Sequence, residues 1–442
     1  MITSLKEDLL QRIYNRQILV GIIGLGYVGL PLAVEHAKAG FTTIGFDVQA
    51  EKVADINNGI NYIADVNTTE LNAMITAGKL AATNDFSFLS KVDYIAICVP
   101  TPLDTHQQPD LSYIEQSTEI VACYLKKGAV VVLESTTYPG TTEELIRPML
   151  EKGSGLVCCE DFYLGFSPER IDPGNPYYKT NNTPKVVGCI GNEATTVIKT
   201  MYNEVLGAEI YAVSSPKVAE MEKILENTYR NINIALANEM AVICNKMDIN
   251  VWEVIDAAKS KPYGFQAFYP GPGLGGHCIP LDPYYLTWKA KEFDCPTKLI
   301  YTAGEINSSM PNYVIDRCTK LLSQHGMPLQ AAKILVLGIA YKNDIKDYRE
   351  SASLKIIEKL RLAGGAIDFY DSYVAKYYCK KNGEQTGISE LSAQSIKKYD
   401  LVLIATAHSN IDYEMVVNNA SLIFDCRNAT KAFQPKDNIA VL

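Results

Sequence analysis

Cys278 stands in Gly271-Pro-Gly-Leu-Gly-Gly-His-Cys-Ile-Pro-Leu-Asp282. The stretch is too rich in glycine and proline to form a regular helix or strand. A loop of this composition brings backbone close to a ligand and holds a side chain where a substrate reaches it. A cysteine chosen at random is more often structural, and the glycine setting is what makes Cys278 a candidate nucleophile. An ordinary thiol (pKa ~8.5) is only a few per cent thiolate at neutral pH, so the chemistry needs a cation beside it. Lys223 is the candidate cation, and Asp282 is the carboxylate nearest in sequence. A metal is not expected, because no further His or Cys lies at ligand spacing from His277 and Cys278.

The second constellation is Gly24-Leu-Gly26-Tyr27-Val28-Gly29. It follows the apolar run Ile18–Ile23 and opens a helical pattern, and an acid, Asp47, closes the next apolar run. In a dinucleotide fingerprint the first glycine makes the tight turn and the second admits the pyrophosphate. The third lets helix and strand pack closely. Asp47 is placed to accept the ribose 2′-hydroxyl and repels a 2′-phosphate, which favours NAD over NADP. Lys52, five residues on, is the counter-signal. Gly271–Gly276 also spells GxGxxG, but it follows an aromatic loop and leads into no helix, so it is rejected as a second fingerprint.

The elements that position these groups follow from periodicity. Apolar runs at Thr42–Phe46, Tyr94–Val99, Val130–Leu133, Leu164–Phe166 and Val186–Ile190 alternate with helical patterns, which predicts a doubly wound α/β domain. Ser215-Pro216 starts a long helix reaching about Lys246. It carries an apolar stripe (Val218, Met221, Leu225, Ile232, Leu236, Ile243) and a polar one (Glu220, Lys223, Asn227, Asn231, Asn238). A polar stripe is ordinarily a solvated face. Recurring amides, in place of alternating Glu and Lys, raise a second reading, hydrogen bonding to a buried polar ligand, and the stripe alone does not decide between the two. From Lys333 a second α/β pattern begins, without a fingerprint of its own. The expected fold is α/β: two doubly wound Rossmann-like domains joined by a long central helix and a small helical domain. The expected boundaries are 1–213 for the NAD-binding domain, 214–312 for the central helical domain with the cysteine loop, and 313–442 for a C-terminal domain.

The totals exclude some classes. A 442-residue chain that is 47% hydrophobic and 21% charged is an ordinary globular protein of two or three domains. A net charge of -9 argues against nucleic acid or an anionic membrane as partner. Ile18–Val34 carries no charge for 17 residues, but its glycines and Pro31 fit the fingerprint better than a membrane span. The 11 cysteines are scattered without CxxC spacing, as in a reducing cytoplasm. No signal peptide or transmembrane helix is expected.

Seven motifs in order carry a resemblance. They are Gly24-Leu-Gly-Tyr-Val-Gly-Leu-Pro31, Val99-Pro-Thr-Pro102, Glu134-Ser-Thr-Thr-Tyr-Pro-Gly-Thr141, Ser167-Pro-Glu-Arg170, Glu222-Lys-Ile-Leu-Glu-Asn227, Gly275-Gly-His-Cys-Ile-Pro-Leu-Asp282, and Gly338-Ile-Ala-Tyr-Lys342 through Arg349-Glu-Ser351. Together they resemble the UDP-glucose/GDP-mannose dehydrogenase family, and within it the UDP-N-acetylhexosamine 6-dehydrogenases. UDP-glucose enzymes usually carry a Lys where this chain has Leu281. The aromatic loop Lys261–Gly273 is most similar to that of UDP-N-acetylglucosamine enzymes, with UDP-N-acetylgalactosamine and then UDP-glucose as alternatives.

The resemblance implies a four-electron oxidation of a sugar C6 from alcohol to uronate, with NAD and one cysteine. Cys278 would carry a thiohemiacetal and then a thioester. Lys223 and Asp282 would move protons and activate water, Asn227 would hold the oxyanion, Glu169 would act as acid or base, and Thr136 would position water. Cofactor contacts would come from Gly24, Gly26, Tyr27, Val28, Gly29, Asp47, Lys52, Thr101, Ser135 and Arg349. Contacts to a UDP-N-acetylhexosamine would come from Arg170, Tyr269, Gly273, Gly275, Lys342 and Arg427. A homodimer in the cytoplasm, serving surface polysaccharide synthesis, is the implied setting. Two other readings are weighed: a two-electron β-hydroxyacid dehydrogenase, which needs no Cys278, and a nucleotide-sugar sensor without turnover.

Overall fold

The computed structural model describes residues 4–104, 108–276, 278–379 and 381–442; His277 of the glycine loop lies outside them. The chain forms two compact units, Met1–Glu226 with Tyr284–Cys295, and Asn227–Pro283 with Pro296–Leu442.

In the first unit the apolar runs become strands: β1 Leu19–Ile23, β2 Thr42–Phe46, β3 Leu80–Thr83, β4 Tyr94–Ile97, β5 Val130–Leu133, β6 Tyr163–Phe166, β7 Lys185–Cys189 and β8 Ile210–Val213. They form one sheet in the order β3-β2-β1-β4-β5-β6-β7-β8. Neighbours are parallel except β6 and β7. The run 3-2-1-4-5-6 is that of a dinucleotide-binding sheet, with the order reversing between β1 and β4. β4 and β5 are wholly buried because both faces of the sheet are covered, which is why their sequences read as unbroken apolar runs. β3 (Leu-Ala-Ala-Thr) and β8 (Ile-Tyr-Ala-Val) lie at the edges of the sheet and are half exposed. Sequence periodicity missed both.

The fingerprint helix, Gly29–Lys38, packs on this sheet and buries His36 completely. Its Nδ1 lies 2.9 Å from the Leu32 carbonyl, and its ring sits near Phe41 and Tyr94. Burial, against the pull of the Leu32 carbonyl and with the help of the Lys185 charge, lowers its pKa from 6.5 to about 4. The unfolded chain therefore binds a proton here that the folded chain refuses. Stability is fully present above pH ~6.5 and falls as the pH drops toward 4, by about 2 kcal/mol at pH 5. Unfolding free energies from urea titrations at pH 7.5 and pH 5 should differ by that much less in His36→Leu. An unchanged difference would show that His36 does not titrate as its burial requires.

In the second unit β9 Lys333–Leu337, β10 Ala366–Tyr370, β13 Leu401–Ile404, β14 Ile423–Asp425 and β15 Ile439–Val441 form a parallel sheet in the order β10-β9-β13-β14-β15. A hairpin of β11 Lys376–Cys379 and β12 Gly383–Thr386 lies outside it. The first turn of this sheet repeats the first turn of the other. Gly24 N–H donates to Phe46 O (2.8 Å) and Leu25 N–H to Asp47 Oδ2 (3.0 Å). Gly338 N–H donates to Tyr370 O (2.9 Å) and Ile339 N–H to Asp371 Oδ2 (2.7 Å). After Gly338 the second copy has Ile339-Ala-Tyr341 and no further fingerprint glycine.

The long helix Pro216–Lys246 continues from the first unit into the second. Its polarity is inverted. Glu220, Lys223, Asn227, Asn231 and Asn238 are all buried, whereas Leu225 and Leu236 are 63% and 56% exposed, with Val218, Met221 and Ile243 also outside. The polar stripe is thus not a solvated face. Its groups bind the protein's own loops.

Candidate active site

The three fingerprint glycines have different surroundings. Gly24 has φ +89°, and a Cβ there would lie 2.6 Å from Cys98 O; at Gly29 it would lie 1.9 Å from Gly24 O. At Gly26 a Cβ would meet nothing within 4 Å. Fold fixes the first and third, and the space at the second fits a pyrophosphate at the helix N-terminus. Asp47 accepts from Leu25 N–H and from Gln49 N–H (2.9 Å). The Lys52 ammonium stands 3.7 Å from Asp47 Oδ2, so Lys52 has a carboxylate to answer its charge and is not a dedicated 2′-phosphate partner. Tyr27 and Val28 line the turn half-buried. These residues fit NAD.

A contrast between glycines tests this cradle. Gly26→Ala should keep its melting temperature and raise KM for NAD at least about tenfold, since ~1.4 kcal/mol of lost binding is a factor of ten. Gly29→Ala should lower the melting temperature as well. Equal melting losses in both variants would show that Gly26 is not open space.

Thr101 and Ser135 also reach this end of the sheet. Ser135 Oγ donates to Val99 O (2.7 Å), so its hydroxyl secures the end of β4. Thr101 O accepts from the hydroxyl of Tyr285 at 2.7 Å. Tyr285 is fully buried in the helix Asp282–Ala290 that follows the cysteine loop. Sequence reasoning assigned it no role, because an aromatic at helical spacing is usually core.

The cysteine loop is held at both ends by amides. Asn238 Oδ1 accepts from Gly271 N–H (2.9 Å), and Asn238 Nδ2 donates to Asn307 Oδ1 (2.9 Å). Asn307 Nδ2 donates to Asn231 O (3.0 Å), and Asn231 Nδ2 donates to Ile279 O (3.0 Å), next to the cysteine. One turn before Asn231, Asn227 Nδ2 donates to Asp282 Oδ2 at 2.6 Å. Cys278 O accepts from Leu281 N–H (3.1 Å) and Asp282 N–H (2.9 Å), so the loop turns directly into the next helix. Cys278 is half-buried and Asp282 buried. Burial pushes the thiols of Cys189 and Cys318 up to about 12 and raises those of Cys98 and Cys426 well above the ordinary thiol value, which leaves all four as core residues.

Three loop glycines serve the protein as much as any ligand. A Cβ at Gly273 would lie 3.0 Å from Ala352 Cβ, at Gly275 2.7 Å from Tyr341 Cβ, and at Gly276 2.9 Å from the Tyr341 ring. At Gly271 it would press on the Arg427 guanidinium, 2.5 Å away. Arg427 Nε donates to Ala405 O (2.9 Å), and burial lowers its pKa. Tyr269 stacks on Trp252 with ring centroids 5.8 Å apart, and Lys342 is half-buried. Arg349 makes a two-pronged contact with Asp347 (3.0 and 2.7 Å) and is otherwise exposed.

In the first unit Lys223 is buried, one helical turn before Asn227. Glu169 Oε1 accepts from Arg170 N–H (2.7 Å) and Ile171 N–H (2.9 Å). The Arg170 guanidinium contacts Glu226, Glu222 (3.5 Å) and Pro184 O (2.9 Å). Burial, then the neighbouring Glu226, pushes Glu222 up to about 7. Thr136 is half-buried; the hydroxyl of its neighbour Thr137 is fully buried and has no hydrogen-bond partner among the described residues. Glu220 accepts from Gly140 N–H (2.5 Å), Thr142 N–H (2.9 Å) and Thr142 Oγ1 (2.7 Å), which ties the segment after Thr136 to the long helix.

Comparison with known proteins places this arrangement. Residues 18–206 match the NAD binding domain of the UDP-glucose/GDP-mannose dehydrogenase family, 217–309 its central domain, and 335–432 its UDP binding domain. The chain belongs to that family. Members similar to it include the UDP-N-acetyl-D-glucosamine 6-dehydrogenase of Pseudomonas aeruginosa, 37% identical over 394 residues, covering 89% of this chain and 91% of that protein. The UDP-N-acetyl-D-mannosamine dehydrogenase of Pyrococcus horikoshii is 34% identical over 418 residues, covering 93% and 96%. A solved UDP-D-ManNAc dehydrogenase from the same organism superposes with a TM-score of 0.87 at 32% identity, over 96% of this chain and 98% of that one. This UDP-glucose/GDP-mannose dehydrogenase family member is an NAD-dependent UDP-sugar dehydrogenase. No helix among its described residues is long and apolar enough to cross a membrane.

Proposed function

We propose that the chain oxidises C6 of UDP-N-acetyl-D-glucosamine to the uronate in the cytoplasm, feeding synthesis of a surface polysaccharide. The observation that carries this reading is the amide chain that anchors the Cys278 loop at Gly271 and Ile279, with Asp282 fixed by Asn227. Such a scaffold is what covalent capture of an aldehyde needs. NAD, when bound, supplies the hydride acceptor for two successive oxidations. The sugar alcohol first becomes an aldehyde, and Cys278 Sγ adds to its carbonyl carbon to form a thiohemiacetal. Loss of the second hydride leaves a thioester. Water then forms the new C–O bond, the C–S bond breaks, and the thiol and the carboxylate product are regenerated. Lys223 and Asp282 are assigned the proton transfers and oxyanion charge, Asn227 the alignment of Asp282, Glu169 the proton of the attacking water, and Thr136 the placing of that water. Arg427, Lys342 and the loop Tyr269–Gly275 are assigned the UDP-sugar.

A panel of UDP-sugars with NAD tests the reading. Two NADH per sugar and a uronate from UDP-N-acetylglucosamine are expected. One NADH with a released aldehyde would overturn the cysteine mechanism. The second reading is UDP-N-acetylmannosamine, which differs at C2; it draws support from the UDP-D-ManNAc dehydrogenase structure at TM-score 0.87. The domain roles are assigned as 1–213 for NAD, 214–312 for the central helix and cysteine loop, and 313–442 for the UDP-sugar. The exposed apolar stripe of the long helix is assigned to a homodimer. A groove of about 710 Å³ lined by Tyr229, Leu236, Met240, Val254 and Phe268 adjoins that stripe. Leu225→Glu/Leu236→Glu should sediment as a monomer.

A further inference from the structure

Lys185, the first residue of β7, is one of the most deeply buried cations of the chain, 5% exposed. Its ammonium donates to Glu134 Oε2 at 2.6 Å and to Pro168 O at 3.3 Å, and it lies 3.9 Å from Glu169 Oε2. The ring of Tyr202 lies beneath it at 5.3 Å, and the Tyr202 hydroxyl donates to the other oxygen of Glu134. Glu134 follows β5, and Glu169 follows β6 after Ser167, whose hydroxyl donates to Val186 O at 2.7 Å. Burial works against the Lys185 charge, but Glu134 and Glu169 outweigh it and hold the pKa above its ordinary value. A buried ion pair adds little to net stability, so such a group calls for another reason to be there.

Glu169 supplies that reason. Its Oε1 is taken by two backbone N–H groups of its own turn. Its Oε2 faces the ammonium, and the same ammonium holds the preceding carbonyl of Pro168. Both rotation of the carboxylate and drift of its backbone are therefore opposed by one cation.

We propose that Lys185, backed by Glu134 and Tyr202, is the positioning residue that aims Glu169 Oε2 at the water attacking the thioester. This rests on the role assigned to Glu169 above. In that step the water oxygen bonds to the acyl carbon, its proton goes to Glu169, and Cys278 sulfur leaves with the electron pair of the broken C–S bond. Lys185 takes no proton and touches no substrate.

The test follows the acyl-enzyme. Wild-type enzyme, Glu169→Gln, Lys185→Gln and Lys185→Met/Glu134→Gln are mixed with NAD and UDP-sugar, acid-quenched, and examined by mass spectrometry for a uronyl adduct on Cys278. The double variant removes the pair without stranding a buried charge, and Lys185→Gln keeps hydrogen bonds to Glu134 and Pro168. All three variants should accumulate the adduct, with decay slowed at least tenfold and KM for NAD unchanged; Lys185→Arg should decay within about threefold of wild type. Adding either Lys185 change to Glu169→Gln should slow decay no further. Accumulation in Glu169→Gln but in neither Lys185 variant would overturn the inference. No accumulation in Glu169→Gln would instead overturn the role assigned to Glu169.

Discussion

Cys278→Ala should abolish uronate formation while leaving NAD binding intact. Removing a covalent nucleophile costs several orders of magnitude, and a fall of at least about 10³-fold is expected. The fold should hold, because Cys278 is half-buried in a loop whose hydrogen bonds come from backbone and from Asn231, Asn238 and Asp282. Three readouts separate the possibilities: NADH per sugar, the identity of the sugar product, and NAD affinity by fluorescence. Full uronate yield from Cys278→Ala would remove the thioester from the mechanism. Loss of NAD affinity together with turnover would mean that the substitution had disturbed the fold.

Asn307→Leu should be nearly as damaging, from a residue placed to act on the loop and not on substrate. Its amide is the middle of the chain from Asn231 to Asn238, and through them from Ile279 to Gly271. Leucine is close in volume but offers no donor or acceptor. Asn238 Nδ2 and Asn231 O each lose their bond to Asn307, at about 1–3 kcal/mol per unsatisfied group. A shift of the loop by ~1 Å costs about 10²-fold in rate, and that fall in kcat is expected with KM for NAD unchanged. Asn307→Asp, which keeps the acceptor, should lose less. A normal kcat in Asn307→Leu would mean that the loop is held by its glycine packing on Tyr341 and Ala352 alone.

Much of the fold and part of the site could be read from residue order. Strands buried on both faces announce themselves, so β1, β2, β4, β5 and the core of the second sheet were foreseen, as was the long helix to Lys246. Edge strands β3 and β8 are four residues long and half exposed, and no periodicity singled them out. The fingerprint was legible because each glycine answers a local demand of one turn. Asn307 was not, because its partners lie 69 and 76 residues away. Nothing within a helix of that composition marks one amide as buried. Lys185 was hidden for the same reason: its value depends on Glu134 and Glu169, 51 residues before it in one case. The inverted helix marks the limit of amphipathic reasoning. The amides raised a buried polar face as one of two readings without deciding it, and the ordinary rule would have turned that face outward.

The repeated first turn has a further consequence, visible by counting lone pairs. A carboxylate offers about four acceptor positions. Asp47 gives one to Leu25 N–H and one to Gln49 N–H, which leaves about two, enough for the adjacent hydroxyls of one ribose. Asp371 accepts from Ile339, Ala340, Tyr373 and Val374 N–H, and His408 Nε2 lies 2.9 Å from its Oδ2. It has no capacity left. The two halves share a turn, but in the second the acid is saturated from within, so any sugar recognised there must be held by other groups.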